Sequence, residues 1–286
     1  MEAPILNWIL FLGREVTTQE YKAAWELVKD CVPHVTIPYD PTSADSLRQL
    51  FAHMLPLLMM RHRRISRRRW HDHQTATGKH WIEQDLDPNV PIPPNRVRAM
   101  IGYHLAWEHN IIAMSMTQGR QRDVVYIGMA IKRMQVEPRE ASVQTYAQSF
   151  YHKLTRLEIS FIGPDNEEDV ILRRLCILLT LKQAYIRAVG QPLGFDWSRL
   201  EFNIPDSTAT GDHRTLNGWE FRLYKACVGI ERKGQVIKEE YQCCSAYFRG
   251  HNGVKFVFHD EQKELDSWVQ FITTDQLVNV VDKLRD

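Results

Sequence analysis

From Asp169 to Val189 the chain reads as one long helix. Ile171, Leu175, Leu178, Tyr185 and Val189 recur at the spacing that lines one face of a helix, and Gly190 follows as the natural C-cap. Lys182, Gln183 and Arg187 interrupt that face; Gln183 and Arg187 are four apart and project together. A polar edge on a packed helix explains the interruption as simply as a binding site does. The last third of the chain reads as β. Trp219 to Ile230 alternates, Lys233-Gly234 turns and Val236 to Phe248 returns. Asn252-Gly253 reads as a second hairpin turn before a strand from Lys255 to Phe258. The class expected is α+β.

The first half repeats the theme of helices followed by strands. Ile5 to Leu12 reads as a strand, and Thr17 with Glu20 forms a capping box for a helix through about Asp30. Thr42 and Asp45 open a second helix towards Arg64, which Pro56 should kink or divide. A Thr77-Gly78-Lys79 turn and a proline-rich loop from Pro88 to Pro94 follow. Strands are expected at Ile111 to Met116 and Val124 to Ile131, separated by a polar stretch from Thr117 to Arg122 that is a hairpin turn or a boundary. A helix is expected from after Pro138 to about Arg156. Thr273 with Gln276 opens a last helix to the C-terminus. The division expected is an N-terminal half, 1–120, and a C-terminal half, 121–286, with a β-rich end.

Charge and cysteine usage exclude several classes. The 36 Lys and Arg nearly balance the 35 Asp and Glu, for a net charge of +1, which argues against a whole-protein nucleic-acid binder. Five cysteines, odd in number and without metal spacing, suit a reducing compartment. No run reaches the roughly 18 apolar residues of a membrane span, and the N-terminal apolar run lacks a basic lead. The expectation is a cytoplasmic, monomeric protein with neither membrane nor nucleic acid as partner. P-loop and nucleophile-elbow motifs are absent. Six arginines fall between Arg61 and Arg69. They form a solvated basic face, a nucleic-acid patch, a nuclear localisation signal or, through Arg67, an anion anchor. His71-Asp72-His73 resembles a metal cluster, but i and i+2 share a face only in a strand, and no further ligand lies at telling spacing. No metal site is expected there. Cys243 and Cys244, adjacent in a strand, should face opposite sides and pack.

The stretch from Leu178 to Phe202 resembles the Sfp/Lys5-type 4′-phosphopantetheinyl transferases. Their signature is W-x-x-K-E-[AS]-x-x-K, then a glycine-rich turn ending in Phe and a strand. Lys182, Ala184, Gly190, Leu193, Gly194, Phe195 and Leu200-Glu201-Phe202 match it. Four further stretches resemble the family in the right order. Thr75-x-x-Gly78-Lys79 resembles R-T-x-x-G-K-P, and Tyr103-His104 falls where the family has Ser-His. Ile127 to Ile131 resembles its G-[IV]-D strand, and Gly218 to Phe221 resembles the strand after the second motif. The end, VQFITTDQLV, is also similar. The resemblance implies two pseudo-symmetric α+β halves with a cleft between them that holds coenzyme A, its pyrophosphate bound to a divalent cation. A carrier-protein serine attacks the β-phosphate and takes up the phosphopantetheine arm. The Asp of the G-x-D motif and the Glu of the K-E motif hold the metal, while the lysines and His meet phosphates.

The departures fall on that chemistry. Ala130 replaces the metal-binding Asp, Lys132 stands two further on where relatives are often acidic, and Gln183 replaces the metal-binding Glu. Leu179 replaces the aromatic residue, Arg187 the second lysine, and Gln74 the Arg before Thr75. Magnesium prefers anionic oxygens. Two attractions become none and a repulsion is added, each about 4 kcal/mol at ~4 Å and an effective dielectric of 20. The first expectation is therefore a repurposed cleft without metal or other cofactor. In it His104, Tyr103, Lys182, Gln183 and Arg187 perform acid–base catalysis of a cyclase, isomerase or dehydratase type on a small natural-product intermediate. Lys132, Ala130, Trp107, Lys79 and Arg67 would contact the ligand. The alternative is phosphopantetheinyl transfer from CoA to a carrier protein, with Lys132 and Arg187 replacing the charge of magnesium. A third reading is a non-catalytic binder of a carrier protein or CoA-like ligand.

Overall fold

The computed structural model describes residues 4–85, 100–191 and 194–285. The proline-rich loop and Leu193 lie outside the described residues. The chain begins with β1 (Ile5–Phe11), α1 (Thr18–Cys31) and α2 (Ala44–His62). Then come β2 (Trp70–Gln74), β3 (His80–Gln84), β4 (Met100–Glu108), β5 (Ile111–Gly119), a single turn α3 (Gln121–Val124) and β6 (Ile127–Arg133). The middle holds α4 (Val143–Gln148), α5 (Arg156–Phe161) and α6 (Glu168–Val189). A small meander follows: β7 (Leu200–Asn203), β8 (Thr208–Gly211) and β9 (Arg214–Thr215). The last part is β10 (Trp219–Arg232), β11 (Gln235–Phe248), β12 (Lys255–His259), α7 (Gln262–Leu265), β13 (Val269–Thr273) and α8 (Thr274–Val278).

Two larger sheets carry the molecule, one ordered β13-β1-β5-β4-β3-β2 and the other β12-β10-β11-β6. Side-chain alternation along each strand decides the layers. On β1, Trp8 and Leu10 join the apolar cluster under α1 and α2, while Ile9 faces the other sheet beside Ala106, Ala113, Met129 and Tyr241. On β6, Met129 and Ile131 join that shared layer, while Ala130 joins the cluster under α6. The order is helices, sheet, sheet, helix: an α+β molecule whose two sheets each carry helices on the outer face. Asn7 fixes the seam by donating to Tyr224 Oη at 3.0 Å and Ser245 Oγ at 2.7 Å.

The first helix starts where expected, while the second is capped by Ser43 rather than Thr42. Thr17 and Glu20 form a full capping box, and α6 ends at Gly190 in the left-handed conformation, φ 71°. Cys243 and Cys244 do face opposite clusters. Several expectations change. Helix α2 runs undivided through Pro56, which is buried among Leu55 and Leu57, so packing outweighs the lost hydrogen bond. The helix expected from after Pro138 to about Arg156 is the short α4 and a 3-10 turn at Tyr151–Lys153, and a second short helix, α5, opens only at Arg156. Ser142 caps the first and a Thr155–Glu158 capping box restarts the second. Strand β4 was not expected at all, because His104 and Glu108 occupy its inner face and blur the alternation. Asn252-Gly253 makes no hairpin: β12 pairs parallel with β10, not with β11. Gly253 instead offers its carbonyl to the Gly218 N–H at 2.8 Å. The last helix stops at Val278, and residues Val281–Leu284 form a separate 3-10 turn. Residues 269–273, assigned by sequence to the second half, return to the first sheet, where β13 pairs parallel with β1.

Candidate functional site

Strand β6 lies at the edge of its sheet, bonded on one side only to β11. Unpaired backbone groups on an edge need partners. Three side chains supply them. Lys79 Nζ donates to the carbonyl of Ile127 at 2.6 Å, His104 Nδ1 accepts from the N–H of Met129 at 3.3 Å, and Arg187 Nη1 donates to the carbonyl of Met129 at 2.8 Å. Lys79 also donates to the carbonyl of Arg187 at 2.5 Å. Residues from β4, β6, α6 and the turn before β3 thus meet along one strand edge.

Close backbone approach makes the meeting geometrically feasible. A Cβ on Gly128 would stand 2.2 Å from the Ala184 carbonyl and 2.4 Å from the Ala188 nitrogen, so only glycine lets α6 lie this near β6. The Thr75–Lys79 turn closes on itself through Thr75 N–H to Lys79 O at 2.9 Å, and Gly78 takes φ 75°. Thr77 packs against Gly190, where a Cβ would come within 2.6 Å of its hydroxyl. The turn is thereby seated on the C-terminal end of α6.

The electrostatics are those of crowded, half-dry cations. Burial lowers the Lys79 amine from 10.5 to about 7 and the Arg187 guanidinium from 12.5 to about 10, the latter opposed by Glu108. Burial, then Lys79, then Arg187 push His104 well below the usual imidazole value. His104 is therefore neutral. Because a backbone N–H can only donate, Nδ1 is the acceptor and the ring proton sits on Nε2. Lys132 meets Glu108 at 3.2 Å. Burial would lower its amine, but Glu108 and Tyr146 outweigh burial and its pKa rises. The group presents N–H donors of Lys79, Arg187 and His104, with one carboxylate, Glu108, shared among cations. N–H donors of this kind suit a phosphate-bearing anion.

The other expected residues are elsewhere. Lys182 is fully buried on the far side of α6. It pairs with Glu158 at 2.7 Å and donates to the carbonyls of Lys153, Trp197 and Leu200. Burial lowers its amine and raises the Glu158 carboxyl. Tyr103 points away from His104 and donates to Asp72 Oδ2 at 2.6 Å. Trp107 shares that face and donates to Asp45 at 3.2 Å. Arg67 donates to the carbonyls of Cys31 and Trp70 and stacks over the Trp70 ring at 4.2 Å. Ala130 is buried under α6, and Gln183 is partly exposed on α6, one turn before Arg187. Glu108 and Glu158 were missed by sequence reasoning. Glu108 carried a signal, since it lies four residues past His104 and so shares its face in a strand; Glu158 carried only its capping position.

No family model matches the chain. Over 186 residues it is 28% identical to a 4′-phosphopantetheinyl transferase, pptA, of Paxillus involutus; the match covers 63% of this chain and 66% of that relative. The chain thus spans just under two thirds of the relative it matches. The likeness supports a place in the 4′-phosphopantetheinyl transferase superfamily. Among the described residues no helix is long and apolar enough to cross a membrane.

Proposed function

We propose that this chain transfers 4′-phosphopantetheine from coenzyme A to a serine of a carrier protein in the cytoplasm. The observation that carries the reading is the convergence of Lys79, His104 and Arg187 on the β6 edge. These residues come from separate stretches that resemble transferase motifs, and a curated relative bears that activity in its name. In the reaction the serine Oγ attacks the β-phosphorus, the bond from phosphorus to the 3′,5′-ADP oxygen breaks, and the serine proton passes to solvent. When protonated, Lys79 has a third N–H; Arg187 has unspent N–H groups and His104 has Nε2–H, and all are able to hold phosphate oxygens.

The residues at the expected cation site do not fit magnesium as the family holds it. Ala130 offers no oxygen, Gln183 only a neutral one, and Glu108 is engaged by Lys132 at 3.2 Å. No step is therefore assigned to a metal; charge on the pyrophosphate falls to Lys79, Arg187 and Lys132. The repurposed acid–base reading asks His104 to shuttle a proton. A neutral imidazole with Nδ1 occupied and a depressed pKa is better suited to donating a fixed hydrogen bond.

The test is incubation with CoA and an apo carrier protein, in Mg²⁺ or in EDTA, with mass spectrometry for the added arm. Transfer in both conditions, lowered at least about tenfold by Arg187→Ala, is expected. Transfer only after Ala130→Asp with Gln183→Glu would mean that the native chain accepts CoA without turning it over. No transfer by either form would defeat the reading and return attention to small-molecule intermediates.

A further inference from the structure

We propose that His34, Asp72 and His80 form a zinc site in the first half of the chain. Asp72 lies on β2 and His80 on β3. The hairpin register sets Gln74 opposite His80, so Asp72 and His80 share one face. Tyr103, directly across from His80 on β4, shares it too. His34 reaches in from the loop after α1. Its Nε2 stands 3.5 Å from Asp72 Oδ2, and His80 Nδ1 stands 3.5 Å from Asp72 Oδ1. One donor atom from each residue lies within 4.8 Å of the others. Tetrahedral zinc with nitrogen and oxygen ligands at about 2.0–2.1 Å holds its donors about 3.4 Å apart, within small side-chain rotations of this arrangement.

A second observation points to a cation. The Asp72 side chain is 8% exposed, and its Oδ1 accepts no hydrogen bond among the described residues. A buried carboxylate oxygen without a donor is costly, and a bound cation removes the cost. The surroundings of a metal ligand are also in place: Tyr103 donates to Asp72 Oδ2 at 2.6 Å, orienting the carboxylate. His34 is 36% exposed and leaves a way in. Two imidazoles, one carboxylate and a remaining position for water are the ligand set of zinc rather than of magnesium or calcium. The sequence expected no metal site at His71-Asp72-His73, and the structure puts only Asp72 of that run in this cluster. His71 and His73 alternate to the other face of β2, where they lie 3.1 Å from Asp85 and 3.2 Å from Glu83. A metal here ties the loop after α1 to the hairpin whose turn carries Lys79, and so braces the β6-edge site from behind.

The full chain, stripped with a chelator, is titrated with ZnCl₂ against a chromophoric competitor, and with CoCl₂ for the visible bands of tetrahedral cobalt. One ion per chain is expected. His34→Ala, at an exposed loop position, should weaken binding at least about tenfold, and His80→Gln likewise. A His71→Ala/His73→Ala double variant should bind as the wild type does. Less than one ion per chain at about 100 µM zinc, unchanged affinity in His34→Ala, or loss of binding in the double variant overturns the proposal. Should His80→Gln fail to fold, His34→Ala still decides.

Discussion

Replacing Lys79 by methionine tests the electrostatics of the β6 edge directly. The residue is 5% exposed, and its amine donates to two carbonyls while facing no carboxylate partner among the described residues. Burial brings the amine from 10.5 to about 7. In the unfolded chain it returns to about 10.4. Between about pH 7 and 10 the unfolded chain therefore binds a proton that the folded chain does not, and this residue makes stability rise with pH across that window. Below pH 7 the folded state carries the full burden of the buried charge, about 5 kcal/mol. From pH 7 to pH 9 about 2 kcal/mol of it is relieved. Urea denaturation of wild type and Lys79→Met at the two pH values isolates this contribution, since other titrating groups largely cancel in the difference. Stranding the two carbonyls adds an offset of about 1–3 kcal/mol each, but one that does not depend on pH. The wild type should gain about 2 kcal/mol on the variant between pH 7 and 9. A difference that stays constant with pH would refute the claim that Lys79 is buried without charge compensation. The same amine should govern anion binding: CoA affinity should fall about tenfold from pH 7 to 8.5 in wild type and stay level in the variant.

Two other substitutions separate structure from chemistry. Gly128→Val should cost about 3 kcal/mol or more, or abolish folding, because its side chain meets the backbone of α6 at Ala184 and Ala188; an unchanged Tm would contradict the packing of α6 on β6. Lys182→Met and Glu158→Gln should each lose about 3–5 kcal/mol of stability by leaving a buried charge alone, seen as a lower denaturation midpoint. If Lys182→Met instead kept its midpoint and lost only turnover, Lys182 would belong to the catalytic group after all.

Much of this was legible in the sequence. Helix boundaries rest on local chemistry, so Thr17 with Glu20 and Gly190 marked them correctly. The long β10–β11 hairpin announced itself through alternation around Lys233-Gly234. The α+β class followed from those elements. What failed depended on partners far away in sequence. Strand β4 has too polar an inner face to be seen alone, and Asn252-Gly253 has hairpin composition but leads a strand to the far side of β10. Of the residues expected to work together, Lys79, His104 and Arg187 do meet. Lys182 and Arg187 lie on the same helix, yet the helix turns them to different neighbours, one to Glu158 and one to β6.

Local periodicity and capping depend on residues a few positions apart, and the sequence by itself determined those: the first strand, the capped helix after it, the long hairpin near the end and where the long helix stops. It also determined which residue types stand at the family-like positions, alanine, lysine and glutamine among them. Tertiary structure decided what these residues do. An edge strand with unpaired backbone groups draws Lys79, His104 and Arg187 to itself, because buried N–H and C=O groups must be bonded. The reach across 108 residues from Lys79 to Arg187 is invisible to any local pattern. The same holds for His34, Asp72 and His80, which only the packing of a loop against a hairpin brings within reach of one another.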